Sequence, residues 1–100
     1  MPTFITYFKW TDQGIRNVRE TVKRAKDFTT HIKNYGGAVR GLYWTMGQYD
    51  GVIIFEAPDE MTATALMTSG GSLGNVRTET VRAFPEGEME NILEKVHQLG

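Results

Sequence analysis

The stretch TMGQYDGVIIFEAPDE, residues 45–60, sets a phenol, Tyr49, beside a carboxylate, Asp50, just before the most hydrophobic run of the chain. A carboxylate whose pKa is pushed towards neutrality by burial can act as a general base, and a neighbouring phenol can donate a proton. With His31 as a third group, these residues are the candidate acid–base set for catalysis. A turn accounts for the pair without chemistry. Gly47 would supply an unusual backbone angle, Asp50 would accept a nearby N–H, and the Tyr49 ring would pack over a hairpin end or a second subunit. We favour the turn, and no catalytic residue is assigned.

His31 falls between Phe28 and Tyr35 in helical projection, so it either points between helix and sheet or caps the apolar edge with one side wet. A functional His31 would be a base or a haem ligand. His97, in a last helical turn, is most simply a partner of that helix's negative end. Two histidines so far apart give no metal-ligand spacing, and no metal site is expected without Glu56 or Glu79. On the fourth strand Arg77 and Glu79 share one parity; they suit a cross-strand or intersubunit ion pair, or an anion-binding arginine with Glu79 orienting the ligand. Tyr43 and Trp44 must point to opposite faces of their strand, as core, interface or ligand contacts. The candidate ligand-binding residues are therefore Trp44, Arg77 and Glu79. The glycine-rich SGGSLGN (69–75) precedes a strand, whereas a phosphate loop precedes a helix.

These residues need elements to hold them. TFITYFKW (3–10) is β-branched and aromatic, with Phe4, Thr6, Phe8 and Trp10 on one face and Ile5, Tyr7 and Lys9 on the other. Neither face is plainly polar, as in a central strand covered on both sides. TDQG (11–14) can cap a helix through Thr11 or Asp12. Apolar positions at Ile15, Val18, Val22, Ala25, Phe28, Ile32 and Tyr35 predict one amphipathic helix, stopped by YGG (35–37). AVRGLYWTM (38–46) and DGVIIFEA (50–57) predict an antiparallel hairpin. Asp59 caps a second helix, with Met61, Ala65, Leu66 and Leu73 read as inward, and SGGSLGN reads as a loop. VRTETVRAF (76–84) suits an edge strand, and residues 85–100 a last helix with a stripe of Met89, Ile92, Val96 and Leu99.

The order β-α-β-β-α-β plus a helix is the split βαβ plan: an α+β, ferredoxin-like fold with a four-stranded antiparallel sheet, two helices on one face and an extra C-terminal helix. Residues 1–100 read as one domain. The second sheet face, about 400 Å² in plan, needs a cover, because both parities carry apolar residues. A second copy stacked sheet to sheet is the simplest cover; the rival is the terminal helix.

Composition narrows the function classes. The chain has 100 residues, a net charge of −1, 40% apolar residues and no cysteine. The charge argues against a dedicated nucleic-acid binder. Without cysteine there is no disulfide, thiolate catalysis or zinc–thiolate site. The N-terminus lacks signal-peptide features and no run reaches the roughly 20 apolar residues of a membrane span, so a soluble, cytoplasmic protein is expected.

YWTMGQYDGVIIFEAPD and GSLGNVRTETVRAF, with TDQG near the N-terminus, closely resemble the GYD-domain family, named for a Gly-x-Tyr-Asp turn, here Gly47, Tyr49 and Asp50. The resemblance implies a ferredoxin-like domain of the dimeric α/β-barrel superfamily, whose members include monooxygenases, isomerases and haem enzymes. It implies no reaction. Two readings compete. One is a homodimeric small-molecule-binding or regulatory module with no cofactor, which we favour slightly. The other is a cofactor-independent enzyme on a small aromatic or enolisable compound, or a haem-binding variant using His31. A purely structural assembly domain is the third.

Overall fold

The computed structural model describes residues 1–100. Strands β1 (Thr3–Trp10), β2 (Ala38–Trp44), β3 (Gly51–Glu56) and β4 (Val76–Ala83) form one antiparallel sheet of order β2-β3-β1-β4. The two most apolar strands are thus central and β4 is an edge, as the ferredoxin-like reading requires. The crossovers carry α1 (Asp12–Arg16), a 3₁₀ turn (Val18–Glu20) and α2 (Thr21–Asn34), then α3 (Glu60–Ser72); α4 (Glu86–Leu99) follows β4.

Strand pairing fixes which side chains share a face. Phe4 lies opposite Phe55 and Arg82, Thr6 opposite Ile53 and Thr80, and Phe8 opposite Gly51 and Thr78. This is the helix side, where Phe4, Phe8, Ile53 and Phe55 join Ile32, Ala57, Ala63, Leu66 and Met67 in the core. Thr6 is fully buried among them, and its hydroxyl is satisfied by that of Thr80 at 2.8 Å. Ile5, Tyr7, Val52, Ile54, Glu79 and Val81 lie on the opposite side. A register shift between Val39 and Gly41 bulges β2 at Arg40, which forms an ion pair with Glu56 at 2.8 Å.

Two helices differ from the pattern reading. The single helix expected from Ile15 to Tyr35 is broken at Asn17. The break lets α1 dock on the loop before β4. Thr11 N–H donates to the Asn75 carbonyl at 3.1 Å, Gln13 Nε2 donates to the Leu73 carbonyl at 3.0 Å, and a Cβ on Gly14 would lie 1.8 Å from the Asn75 oxygen. The turn shifts the helical phase, leaving Ile15 and Val22 about half exposed. In α3 the cap is Asp59, as expected; the Thr62 N–H donated to its carboxylate holds the Asp59 pKa below the usual value. The helix, however, buries Ala63, Leu66 and Met67, while Met61 is 83% and Leu73 68% exposed, and Ala65 also faces solvent. It runs on through Gly70 and Gly71, which the sequence assigns to a loop. Gly70 is tolerated because a Cβ there would sit 3.0 Å from the Phe28 ring, so its absence lets α3 approach α2.

Helix α4 forms no extensive packing with any other element. Arg82 holds its start through Glu88 at 2.9 Å and lies over the Phe84 ring. Met89, Leu93 and Val96 are about half exposed. The chain has a radius of gyration of 15.3 Å, against about 13 Å for a compact domain of this length.

Candidate functional site

Between α2, the end of α3 and the sheet lies a cavity of about 110 Å³. Nine of its fourteen lining residues are hydrophobic, Phe8, Phe28, Leu42, Trp44, Ile53 and Met67 among them. Strand alternation brings Phe8, Leu42, Trp44 and Ile53 to this side, and the helical period brings Thr21, Arg24, Ala25 and Phe28 to meet them. Trp44 closes one edge by donating its indole N–H to the Thr21 hydroxyl at 3.1 Å. Arg24 Nη1 donates to the Asn17 carbonyl at 3.0 Å, while Nη2 is buried with no partner. No histidine, tyrosine, lysine or carboxylate lines the cavity.

The second constellation lies on the other side of the sheet. The β2–β3 connection carries Gly47 at φ 109°, a conformation glycine adopts without strain. It folds Tyr49 back over the strands, where its ring meets Tyr7 with centroids 4.9 Å apart and Lys9 Nζ lies 5.5 Å from its centre. Tyr49 Oη donates to Glu79 Oε2 at 3.0 Å. That bond raises the phenol's pKa above the usual value, and partial loss of water and the Glu79 charge push the same way. A phenol so held is a poorer proton donor to a substrate than a free one.

Asp50 does something else. Its carboxylate accepts the Trp10 backbone N–H at 2.9 Å, its own N–H donates to the Phe8 carbonyl at 2.8 Å, and its carbonyl accepts from Thr45 N–H at 2.9 Å. The N–H foreseen for Asp50 as local to the turn belongs to β1, forty positions away in sequence. Tyr49 and Asp50 are adjacent, yet one reaches across the open face to Glu79 and the other clasps the end of β1.

The remaining candidates disperse. His31 sits on α2 with ring centroids 6.4 Å from Phe28 and 4.9 Å from Tyr35, and does not line the cavity. His97 lies in the last turn of α4. Of the three ligand-binding candidates, Trp44 is in the cavity wall, whereas Arg77 and Glu79 are on the opposite sheet face. Glu79 bonds Tyr49, and the ion pairs of the chain are Arg40–Glu56 and Arg82–Glu88, so Arg77 and Glu79 are not paired with each other. No three His, Asp or Glu side chains cluster closely enough to hold a metal ion. No helix is long and apolar enough to cross a membrane. Arg24 is the residue the sequence reading passes over; its signal is position, three after Thr21 and four before Phe28, on their helical face.

Known proteins place the chain in context. Over 90 residues it is 32% identical to the Thermus thermophilus protein named glutamine synthetase and cystathionine beta-lyase binding protein, covering 89% of this chain and 95% of that one. The crystal structure of TTHA0845 from Thermus thermophilus superposes with a TM-score of 0.54 at 26% identity, covering 84% of this chain and 94% of that one. MtbAldR shares the fold, with a TM-score of 0.61 at 13% identity over 85% of this chain and 52% of its own. The GYD domain model matches residues 4–93, from the first core phenylalanine to well within α4, and the chain belongs to the GYD domain family.

Proposed function

We propose that this chain is a homodimeric binding module that holds a small apolar molecule on the helix side of its sheet. The observation that carries this reading is the cavity itself. It is apolar, bounded by Trp44, and free of the residues that acid–base chemistry requires. Tyr49, Asp50 and His31 lie outside it, each engaged elsewhere. A Thermus relative named for binding two enzymes supports a role exercised on other proteins.

The open sheet face supports a second copy as its cover. Tyr43 is 60% and Val81 40% exposed there, beside half-buried Ile5, Val52 and Ile54. The face alone offers about 400 Å² in plan, about half the roughly 800 Å² per partner of a standard interface. The exposed stripe of α4, about 21 Å long and about 10 Å wide, adds about 200 Å². A twofold dimer using both surfaces comes close to the required area and accounts for the outlying α4.

Native mass spectrometry of the purified protein tests this directly. The expected spectrum shows a dimer carrying a small molecule, and Met67→Trp, which fills the cavity, removes that molecule while the dimer persists. A monomer with nothing bound, or a bound molecule indifferent to Met67→Trp, would overturn the proposal.

A further inference from the structure

We infer that α4 is an arm that docks on the open sheet face of a second copy, along its β4 edge, and that glutamates of the arm meet Lys9 and Arg77 there; this rests on the homodimer of the reading above. A fourteen-residue helix is marginal in water without tertiary packing, and Gly87 weakens this one further. Yet no residue of α4 is buried, and Met89, Leu93 and Val96 stand about half exposed on one side of it. The chain's own open face is not its seat. Arg82 faces the helix side, opposite Phe4, and from there it lies over the Phe84 ring and holds the first turn of α4 through Glu88. Phe84 and Pro85 alone separate the strand from the helix, so α4 projects from the sheet and the long axis of the chain reaches 52 Å.

Charge selects the occupant. Lys9 and Arg77 are direct cross-strand partners on the open face, a like-charge pairing that is unfavourable by itself and relieved by a carboxylate lying across it. Neither belongs to an ion pair of the chain, and the nearby Glu79 carboxylate accepts from the Tyr49 hydroxyl. On α4, Glu86, Glu90 and Glu94 repeat at four-residue spacing, also mutually repulsive and also outside those ion pairs. Glu86 and Glu90 border the apolar stripe of the helix, as Lys9 and Arg77 border Ile5, Tyr7 and Val81 on the sheet. One chain thus carries both halves of a complementary contact, each apolar with a charged margin, and a twofold axis uses both halves twice. A helix of about 21 Å also spans most of an eight-residue strand of about 27 Å. A foreign acidic helix on the face would leave α4 bare; a second copy covers both.

The absence of cysteine makes the contact directly testable. Chains carrying Val81→Cys and chains carrying Leu93→Cys are prepared separately, mixed and treated with a short bismaleimide. The mixture should give a covalent dimer well above what either variant gives alone. Arg77→Glu should weaken the dimer at least tenfold in sedimentation equilibrium, and adding Glu90→Arg to the same chain should recover part of the loss. In wild type, amide exchange across residues 86–99 should be slow in the dimer and fast after dilution to the monomer. A dimer whose mixture does not cross-link, or whose α4 amides exchange alike at every dilution, overturns the arm and leaves the homodimer standing. A chain that is monomeric throughout overturns both, as does a monomer in which Val81→Cys and Leu93→Cys cross-link within one chain. The wild-type exchange measurement decides the matter even if a variant does not fold.

Discussion

On one side of the sheet Phe4, Thr6, Phe8, Ile53 and Phe55 are closed over by α2 and α3; on the other, Ile5, Tyr7, Val52 and Ile54 remain half open, with Tyr49 drawn over Tyr7. Both sides are aromatic and aliphatic, so hydrophobicity does not separate them. What separates them is completion. The helix side satisfies its buried hydroxyl, Thr6, while two buried donors of the chain, Trp10 Nε1 and Arg24 Nη2, go unmet. The open side is an apolar surface with a hydrogen-bonded tyrosine at one edge. Substitutions on the helix side should therefore act on folding and on the ligand, and those on the open side on assembly.

The most severe test is Gly51→Ala. A Cβ at Gly51 would stand 2.0 Å from the Phe8 ring and 2.7 Å from the Tyr43 carbonyl, so both the core and the β2–β3 pairing must shift. A loss of about 3 kcal/mol in urea denaturation is expected, at the upper end of overpacking costs. A variant as stable as wild type would mean that Phe8 does not rest on that backbone. Asp50→Ala comes next. It removes the charged acceptor for Trp10 N–H and should cost about 2 kcal/mol. Asp50→Asn, which keeps an acceptor oxygen, should recover part of that. Were Asp50 a base instead, the asparagine variant would fold normally and abolish whatever turnover exists. Thr6→Val is smaller, about 1 kcal/mol, because Thr80 at the edge strand can turn to water once its partner is gone.

How much of this division is legible in the sequence varies with the physical source of each feature. The strands follow from side-chain alternation, and Thr11, Asp59, Gly36 and Gly47 mark caps and turns by local chemistry alone. The break at Asn17 leaves no such mark. It arises because Gly14 and Gln13 dock on residues 73–75, so TDQG and GSLGN, two separate motifs in sequence, are halves of one contact. The buried face of α3 escapes a pattern reading because Met61, Ala63, Ala65, Leu66 and Met67 place apolar groups around most of the helix, and only the position of Phe28 selects among them. Arg24 escapes it because a cation on an amphipathic helix ordinarily marks the wet side; its burial depends on the phase shift at Asn17.

Ile54→Lys carries the comparison to the open side. Ile54 lies on a central strand, half-buried, on the face without helices. A lysine there should raise the dimer dissociation constant by about 100-fold, as expected for a charge placed at an interface centre, yet move the folding midpoint less than Thr6→Val does when both are read at a dilution where wild type is monomeric. Sedimentation equilibrium measures the first effect and circular dichroism the second. If Ile54→Lys unfolds the chain while remaining as associated as wild type, the two sides are not distinct in the way argued.

The smallest effect belongs to Tyr49→Phe. The substitution keeps the ring on Tyr7 and removes the bond to Glu79. Because the hydroxyl sits at the surface, solvent screening limits its contribution at neutral pH, and pH resolves it better. The folded-state pKa of Tyr49 is raised, chiefly by the bond to Glu79. Its contribution is therefore fully present below the unfolded tyrosine pKa of about 10 and is lost as pH rises through the higher folded value. Between about pH 8 and about pH 11, a window that brackets that unfolded value, wild type should lose more stability than Tyr49→Phe, the difference isolating one phenol from the other tyrosines and the lysines. Equal losses would mean that Tyr49 does not hold Glu79 in solution, and the open side would then lack its one ordered polar contact from the turn.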